Sequence, residues 1–458
     1  MVKITSTNPS KNYMKIGEVS VSTEKEVQEK VKNARVAKEE WNSIGLAKRV
    51  ELLREVVAKF NEKKEELALL MSREMGKPIS ESVDDISSGV KFFNWYLDNA
   101  EKYLAPEVTF EDDKEIHRVY YEPVGVVAVI VPWNFPFSNF VWQVGQNLVV
   151  GNTIVFKHSE ETALFGREIE KIFNESGLPG GVFNEVYGDG KVGDYLIHQD
   201  VDMICFTGSS KVGKQVYKVG AEKFIPVLME LGGSAPGIIF EDADIDKVLE
   251  TVYICKYLSC GQVCDGLKRL IVHEKRFDEV VEKLKKLVES KKVGDAEDES
   301  VEIGPLVAKR QLELLQSQVE DAVSKGARIV AGGKTPDNLK GAYYEPTLIT
   351  NVKKDMRVWK EEVFGPVLPI VMFKTYDEAI KLANDTCYGL GGYVFTEDKN
   401  LFQKAASEIQ SGMVCLNNAS YVKPCNPFGG YKDSGLGREH GKYGFHDLCN
   451  IKVVAEEK

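Results

Sequence analysis

The chain has 458 residues, more than a single hydrophobic core usually gathers, so two or three domains are expected. With 43% hydrophobic and 28% charged residues, the composition is that of a globular protein and not of a disordered or fibrous one. A formal net charge of -11 argues against the basic face by which nucleic acids and anionic membranes are held, and leaves small molecules as the expected partners. In chain order, the N-terminal MVKITSTNPSKNYMKIGEV lacks the charged start, apolar core and cleavage site of a secretory leader. No apolar run approaches the ~20 residues that span a bilayer, and a cytoplasmic protein is expected.

From Ser22 and Thr23, both cap-type residues, to about Lys102 apolar residues recur at intervals of three and four, which predicts a run of amphipathic helices. Segment 115–131, EIHRVYYEPVGVVAVIV, is β-branched and aromatic. Pro123 and Gly125 divide it into an exposed strand and a buried one, a hairpin-like arm before a core strand. From Gly151 the short apolar runs TIVFK, VFNEVYG, MICFTG and PGIIF alternate with helix-length stretches, the pattern of a mostly parallel, doubly wound α/β sheet. A second αβ series from about Val248, with strands near RLIVH, ARIVAGG, VLPIVMF and GYVFT, predicts another domain of the same class, with the junction near LGGSAP. The chain closes on the strand-like NIKVVAEEK.

Eight cysteines without a C-x-x-C pair and six scattered histidines give neither a disulfide framework nor a zinc-type cluster, so no metal is expected. Four short islands stand out instead: PWNFP (132–136), FTGSSKVG (206–213), MELGG (229–233) and GQVC (261–264). Singly each is weak. A lone cysteine such as Cys264 is more often a core residue than a nucleophile, and a glycine pair after a strand is as often a tight turn as a phosphate cradle. A glutamate in an apolar run, Glu230, is rarer, because burial raises a carboxyl's pKa.

Together and in this order the islands resemble the aldehyde dehydrogenase superfamily, over essentially the whole chain. GNTIVFKHSE (151–160), EEVFGP (361–366), NDTCYGL (384–390) and NPFGGYKDSGLGRE (426–439) carry the resemblance further. SREMGKP (72–78), NWYLDN (94–99) and YGFHDLCNI (443–451) look most like its short bacterial and archaeal succinate-semialdehyde dehydrogenase branch. The resemblance implies a dinucleotide-binding domain (1–105 and 124–232), a catalytic domain (233–433) and a small β oligomerisation arm (106–123 and 434–458) that completes a neighbour's sheet in a homodimer or homotetramer.

It further implies Cys264 as nucleophile, the Asn134 amide with the Cys264 N–H as oxyanion donors, and Glu230 as the base that activates water. Lys157 and Glu160 would hold the adenosine ribose, Gly208 and Ser209 the pyrophosphate, and Glu362 the nicotinamide ribose. Phe364 and Trp133 would line the nicotinamide slot. Glu160 beside a 2'-hydroxyl favours NAD, with Lys157 and His158 leaving NADP admissible. The implied reaction is oxidation of an aldehyde to its acid, with succinate semialdehyde as the substrate the branch suggests. A neutral aldehyde such as glyceraldehyde or lactaldehyde, or a catalytically silent binding role, are the alternatives. A cysteine hydrolase would require a histidine near Cys264.

The sequence departs from the family pattern at several positions. Gln143 stands where many relatives carry a relay lysine, which shifts that role to water and Glu439. Trp142, Leu258 and Val422 replace the residues that clamp a substrate carboxylate in well-known succinate-semialdehyde dehydrogenases. With Phe135 and Phe428 they predict a largely apolar pocket, in which Lys423 is the remaining candidate anchor. Cys260 would lie one helical turn before Cys264 if that segment is helical, and no pairing between them is expected.

Overall fold

The helical run opens where the cap residues place it. In the computed structural model, which describes residues 2–458, Thr23 accepts a hydrogen bond from Glu26 N while the Glu26 carboxylate accepts from Thr23 N. This closes a capping box on the helix Glu24–Ser43. Helices Gly45–Glu62, Lys64–Met75 and Ile79–Leu104 follow, the second ending on Gly76 at φ 79°, a left-handed cap that suits glycine. No helix among the described residues is long and apolar enough to cross a membrane.

These helices cover a six-stranded sheet ordered Gly435–Leu436, Val227–Glu230, Met203–Thr207, Val126–Ile130, Thr153–Lys157 and Phe183–Glu185. All neighbours run parallel except the first pair. Along the central strand Val127 and Val129 join the core under the N-terminal helices, while Val126 and Ala128 join the core on the opposite face. A strand buried on both faces reads as an unbroken apolar run, which is why VVAVI shows no alternation in the sequence.

The second domain has a seven-stranded sheet: Arg328–Ala331, Thr347–Thr350, Val367–Phe373, Leu267–His273, Ala235–Ile239, Tyr393–Phe395 and Cys415–Leu416. Only its first pair is antiparallel. The arm is a three-stranded antiparallel sheet of Glu107–Glu111, Glu115–Pro123 and Cys449–Glu457.

Two details differ from the expectation. The segment after 434 is not wholly part of the arm. Gly435–Leu436 pairs antiparallel with Val227–Glu230 in the first sheet, helix Gly441–Asp447 follows, and only Cys449–Glu457 enters the arm. The backbone at Gly435 lies against Met229 O, where a Cβ would come within 2.2 Å, so the glycine allows this return. The N-terminus also forms an unforeseen hairpin, Lys3–Asn8 with Met14–Ser20, turned by Asn12 and Tyr13 at positive φ. It ties the domains together, since Ser6 donates to Glu74 (2.6 Å) while Ser10 O accepts from Tyr343 of the second domain (2.9 Å).

At the junction, Arg269 is fully buried and donates to Ser234 O (3.0 Å), Leu382 O (2.8 Å) and Ala383 O (2.8 Å). It thereby fixes the chain leaving MELGG against the second sheet. Replacing it leaves several buried carbonyls without donors, each costing about 1–3 kcal/mol. Arg269→Met is expected to destabilise the fold by at least about 3 kcal/mol in denaturant titration; a change below about 1 kcal/mol would contradict this role.

Candidate active site at the domain junction

Cys264 sits in the loop between helix Ile245–Tyr257 and strand Leu267–His273. The segment before it is not a helix. Leu258–Gly261 is a tight turn in which Ser259 (φ 52°), Cys260 (φ 56°) and Gly261 (φ 74°) are all left-handed. Cys260 is therefore not one helical turn below Cys264, and both thiols are free. The strained turn is held from outside: Ser259 N donates to the Glu81 carboxylate (2.7 Å), and buried Gln262 donates to Ser259 O (3.0 Å) and accepts from Val307 N (3.1 Å). Gly261 presses against the backbone of Gly365, where a Cβ would lie 2.3 Å from the carbonyl oxygen.

Asn134, at the C-terminal edge of the central strand, spends one amide hydrogen on Gln262 O (3.0 Å) and accepts from Asn139 Nδ2 (3.2 Å). Its second hydrogen remains for an oxyanion at Cys264, which lines the same groove. The glycines of MELGG have a steric role. A Cβ on Gly233 would meet Cys264 O at 2.3 Å, and one on Gly232 would meet the Glu362 carboxylate at 2.4 Å.

Glu230 ends its strand with Thr207 as its neighbour on one side and Gly435 on the other. It is buried, and neither carboxyl oxygen has a partner. Burial pushes its pKa well up, and the neighbouring Glu439 adds to this. Burial also raises Glu439, to about 8. Gln143 donates to Glu439 and to Thr207 Oγ1 (3.0 Å), so it orients the second carboxyl without bringing a charge. The segment supplying it, Pro136–Val150, contains a wide π turn at Val141–Gly145. Trp142 faces a cavity while Gln143 faces the carboxyls.

Two cavities meet at Cys264. A groove of about 560 Å³ is lined by Trp133, Gly208, Ser209, Glu362 and Phe364, five of the seven residues expected to hold the dinucleotide, and by Asn134. Trp133 and Phe364 stand edge to face with ring centres 5.6 Å apart. Ser209 caps helix Ser210–Lys223, whose N-terminus opens on this groove. Lys157 and Glu160 lie outside it, at the C-terminal end of the strand one beyond the central strand. Lys157 is buried and donates to His158 O (3.0 Å). His158 does not serve the role considered for it. Its ring turns inward to Glu185 (2.9 Å), and burial lowers its pKa to about 3, so it carries no charge toward a 2'-phosphate.

The second cavity, about 340 Å³, is lined by Phe135, Trp142, Leu258 and Val422 as expected. Phe428 is not among its walls; it is buried behind Trp142, ring centres 5.3 Å apart. Lys423 is exposed and does not reach the cavity, which removes it as an anchor. Sequence reasoning missed the polar part: Glu81, Asp84, Asp85 and Asp265 line the cavity together with Tyr393 and Tyr421. Among the described residues no lysine, arginine or histidine lines it. The signal was present as E-x-x-D-D, one face of helix Ile79–Leu104, and as the residue after Cys264. Asp85 is neutralised by buried Lys77 (2.9 Å). Burial raises Glu81 to about 7, and burial likewise raises Asp265.

A half-buried cysteine beside a side-chain amide donor, an unpartnered buried carboxyl and an adjoining groove at a helix N-terminus together suit cysteine-based chemistry on a carbonyl. The chain belongs to the Aldehyde dehydrogenase family, whose family model matches residues 2–454. It is 39% identical to aminoaldehyde dehydrogenase 1 of Pisum sativum, an alignment covering 99% of this chain and 92% of the pea protein. Among solved structures it superposes on Staphylococcus aureus betaine aldehyde dehydrogenase in complex with NAD+ (TM-score 0.95, 34% identity, 99% and 91% of the two chains). It is equally close to an NADP-dependent enzyme of Escherichia coli (TM-score 0.96, 33% identity, 100% and 95%).

The carboxyl pair sets a pH dependence. As a base toward water Glu230 would act only when ionised, and its raised pKa moves that form to higher pH, so hydrolysis of an acetyl group loaded on Cys264 from an activated ester is expected to rise with pH. Glu439→Gln removes the neighbouring charge and is expected to move the rising limb to lower pH by roughly one unit; a limb that stays in place would show that the two carboxyls do not interact.

Proposed function

We propose that this aldehyde dehydrogenase oxidises a cationic aldehyde, an ω-amino or quaternary-ammonium aldehyde, with NAD as the favoured acceptor. The observation that carries the reading is the cavity at Cys264, where acidic and aromatic side chains are combined and, among the described residues, no basic one lines the wall. Carboxylates and ring faces attract an ammonium group, whereas an anionic aldehyde such as succinate semialdehyde meets like charge. The names of the relatives, aminoaldehyde and betaine aldehyde dehydrogenase, support the same reading. The apolar wall of Leu258, Val263 and Val422 favours a neutral aldehyde as the second reading.

The groove fits a dinucleotide, with a capped helix N-terminus for the pyrophosphate and an aromatic slot at Trp133 and Phe364; beyond its walls an acidic residue, Glu160, stands near Lys157. Glu160 beside a ribose hydroxyl, with His158 neutral and turned away, favours NAD over NADP. When bound, the dinucleotide accepts the hydride. The chain's own residues do the rest. The Cys264 sulfur bonds to the carbonyl carbon while the Asn134 amide holds the oxygen. After the hydride has left that carbon, Glu230 takes a proton from water, the water oxygen bonds to the thioester carbon, and the carbon–sulfur bond breaks to release the acid and the Cys264 thiolate.

Self-association belongs to the same reading. The three-stranded arm exposes Phe110, Ile451 and Val453, the last two 63% and 64% accessible, and an apolar face of this kind suits burial against another copy. Sedimentation is expected to show a dimer or larger species.

The substrate is tested by initial rates of NADH formation with betaine aldehyde, an ω-aminoaldehyde, succinate semialdehyde and hexanal. The cationic aldehydes are expected to have the highest kcat/KM, and Asp265→Asn to lower it for them by roughly tenfold while leaving hexanal within about twofold. Equal or better turnover of succinate semialdehyde would overturn the substrate reading and leave the class intact.

A further inference from the structure

Beneath the nucleophile loop lies a buried cation that the reaction described above does not use. Lys268 is the second residue of strand Leu267–His273, and its side chain is 2% accessible. Its ammonium donates to Val263 O at 2.5 Å, the carbonyl immediately before Cys264. It also donates to Glu362 Oε1 at 3.4 Å, and it lies 4.7 Å from the centre of the Phe364 ring. The same Glu362 oxygen accepts from Gly233 N at 3.1 Å, so a single carboxylate oxygen receives both donors. A buried ammonium is costly unless partnered, and here the partners come from two parts of the site, the nucleophile loop (Val263 O) and the EEVFGP loop (Glu362, Phe364), with Glu362 in turn holding the MELGG turn through Gly233 N.

We propose that Lys268 is a positioning residue that couples the nucleophile to the dinucleotide groove: its ammonium clamps the backbone before Cys264 and orients Glu362 and Phe364. The groups facing this ammonium are Glu362, Cys264 and Asp265 together with the buried Lys256, which donates to Val363 O at 3.5 Å. Burial and Asp265 push the Cys264 thiol upward, and among the charged groups acting on it Lys268 pulls it back while Asp265, Glu362 and Glu230 do not. An arginine would keep the charge, but its planar fork does not fit the single point between Val263 O and Glu362 as an ammonium does.

The proposal rests on Cys264 and Glu362 as site residues, and not on the charge of the substrate. Its test uses the enzyme without dinucleotide. The rate of Cys264 alkylation by iodoacetamide is followed against pH, with peptide mass spectrometry separating Cys264 from the other seven cysteines. Lys268→Met is expected to move the alkylation midpoint up by about one unit, and to weaken NAD binding, read by quenching of tryptophan fluorescence. Lys268→Arg is expected to restore most of the midpoint but not the affinity. Should Lys268→Met fail to fold, Lys268→Gln, which keeps a donor toward Val263 O without the charge, gives the second reading, with the same upward shift expected. An unchanged midpoint in folded Lys268→Met or Lys268→Gln would overturn the proposal and leave Lys268 a structural residue only.

Discussion

The constraint on which the rest of this structure depends is the burial of ionisable groups between two sheets. Glu230 and Glu439 lie out of water and Cys264 is half-buried, and burial shifts each of them upward. Burial alone keeps a thiol and two carboxyls neutral, whereas the chemistry requires a thiolate and then a carboxylate. The protein meets both needs by graded partnering. Lys268 lies close enough to aid the thiol, and Gln143 holds Glu439 by a neutral hydrogen bond, so that Glu230 keeps both oxygens free for water.

Such a site is held by backbone more than by side chains. The turn of three left-handed residues before Cys264, and the glycines at 232, 233, 261 and 435, let four segments approach within distances that a Cβ would forbid. Arg269 and the N-terminal hairpin then tie the two domains on either side of this contact. The groove and the second cavity both reach Cys264, so two ligands can meet at one sulfur without sharing space.

Much of this was legible in the sequence. Strands such as VVAVI and MICFT are continuous apolar runs because both their faces are covered, and the islands around Asn134, Ser209, Glu230 and Cys264 mark strand ends and loops that face the junction. The acidic wall was less visible. Glu81, Asp84 and Asp85 sit on a long amphipathic helix, where charged residues are ordinarily solvated, and only the packing of that helix against Pro136–Phe140 turns them toward Cys264. The hairpin at the N-terminus was missed because its short strands are polar and half exposed. The return of residues 435–436 to the first sheet was missed because a two-residue strand has no periodicity to read. Phe428 and Lys423 failed for the opposite reason: a residue type suited to a pocket does not say which way its loop faces.

The central claim is that Cys264 carries the acyl group and Glu230 frees it. It is tested most directly by rapid mixing of Glu230→Gln with excess aldehyde and NAD. The account predicts a fast burst of about one NADH per active site followed by a stall, with the acyl group found on Cys264 by mass spectrometry. Steady turnover at the wild-type rate, or no burst and no adduct on Cys264, would contradict it.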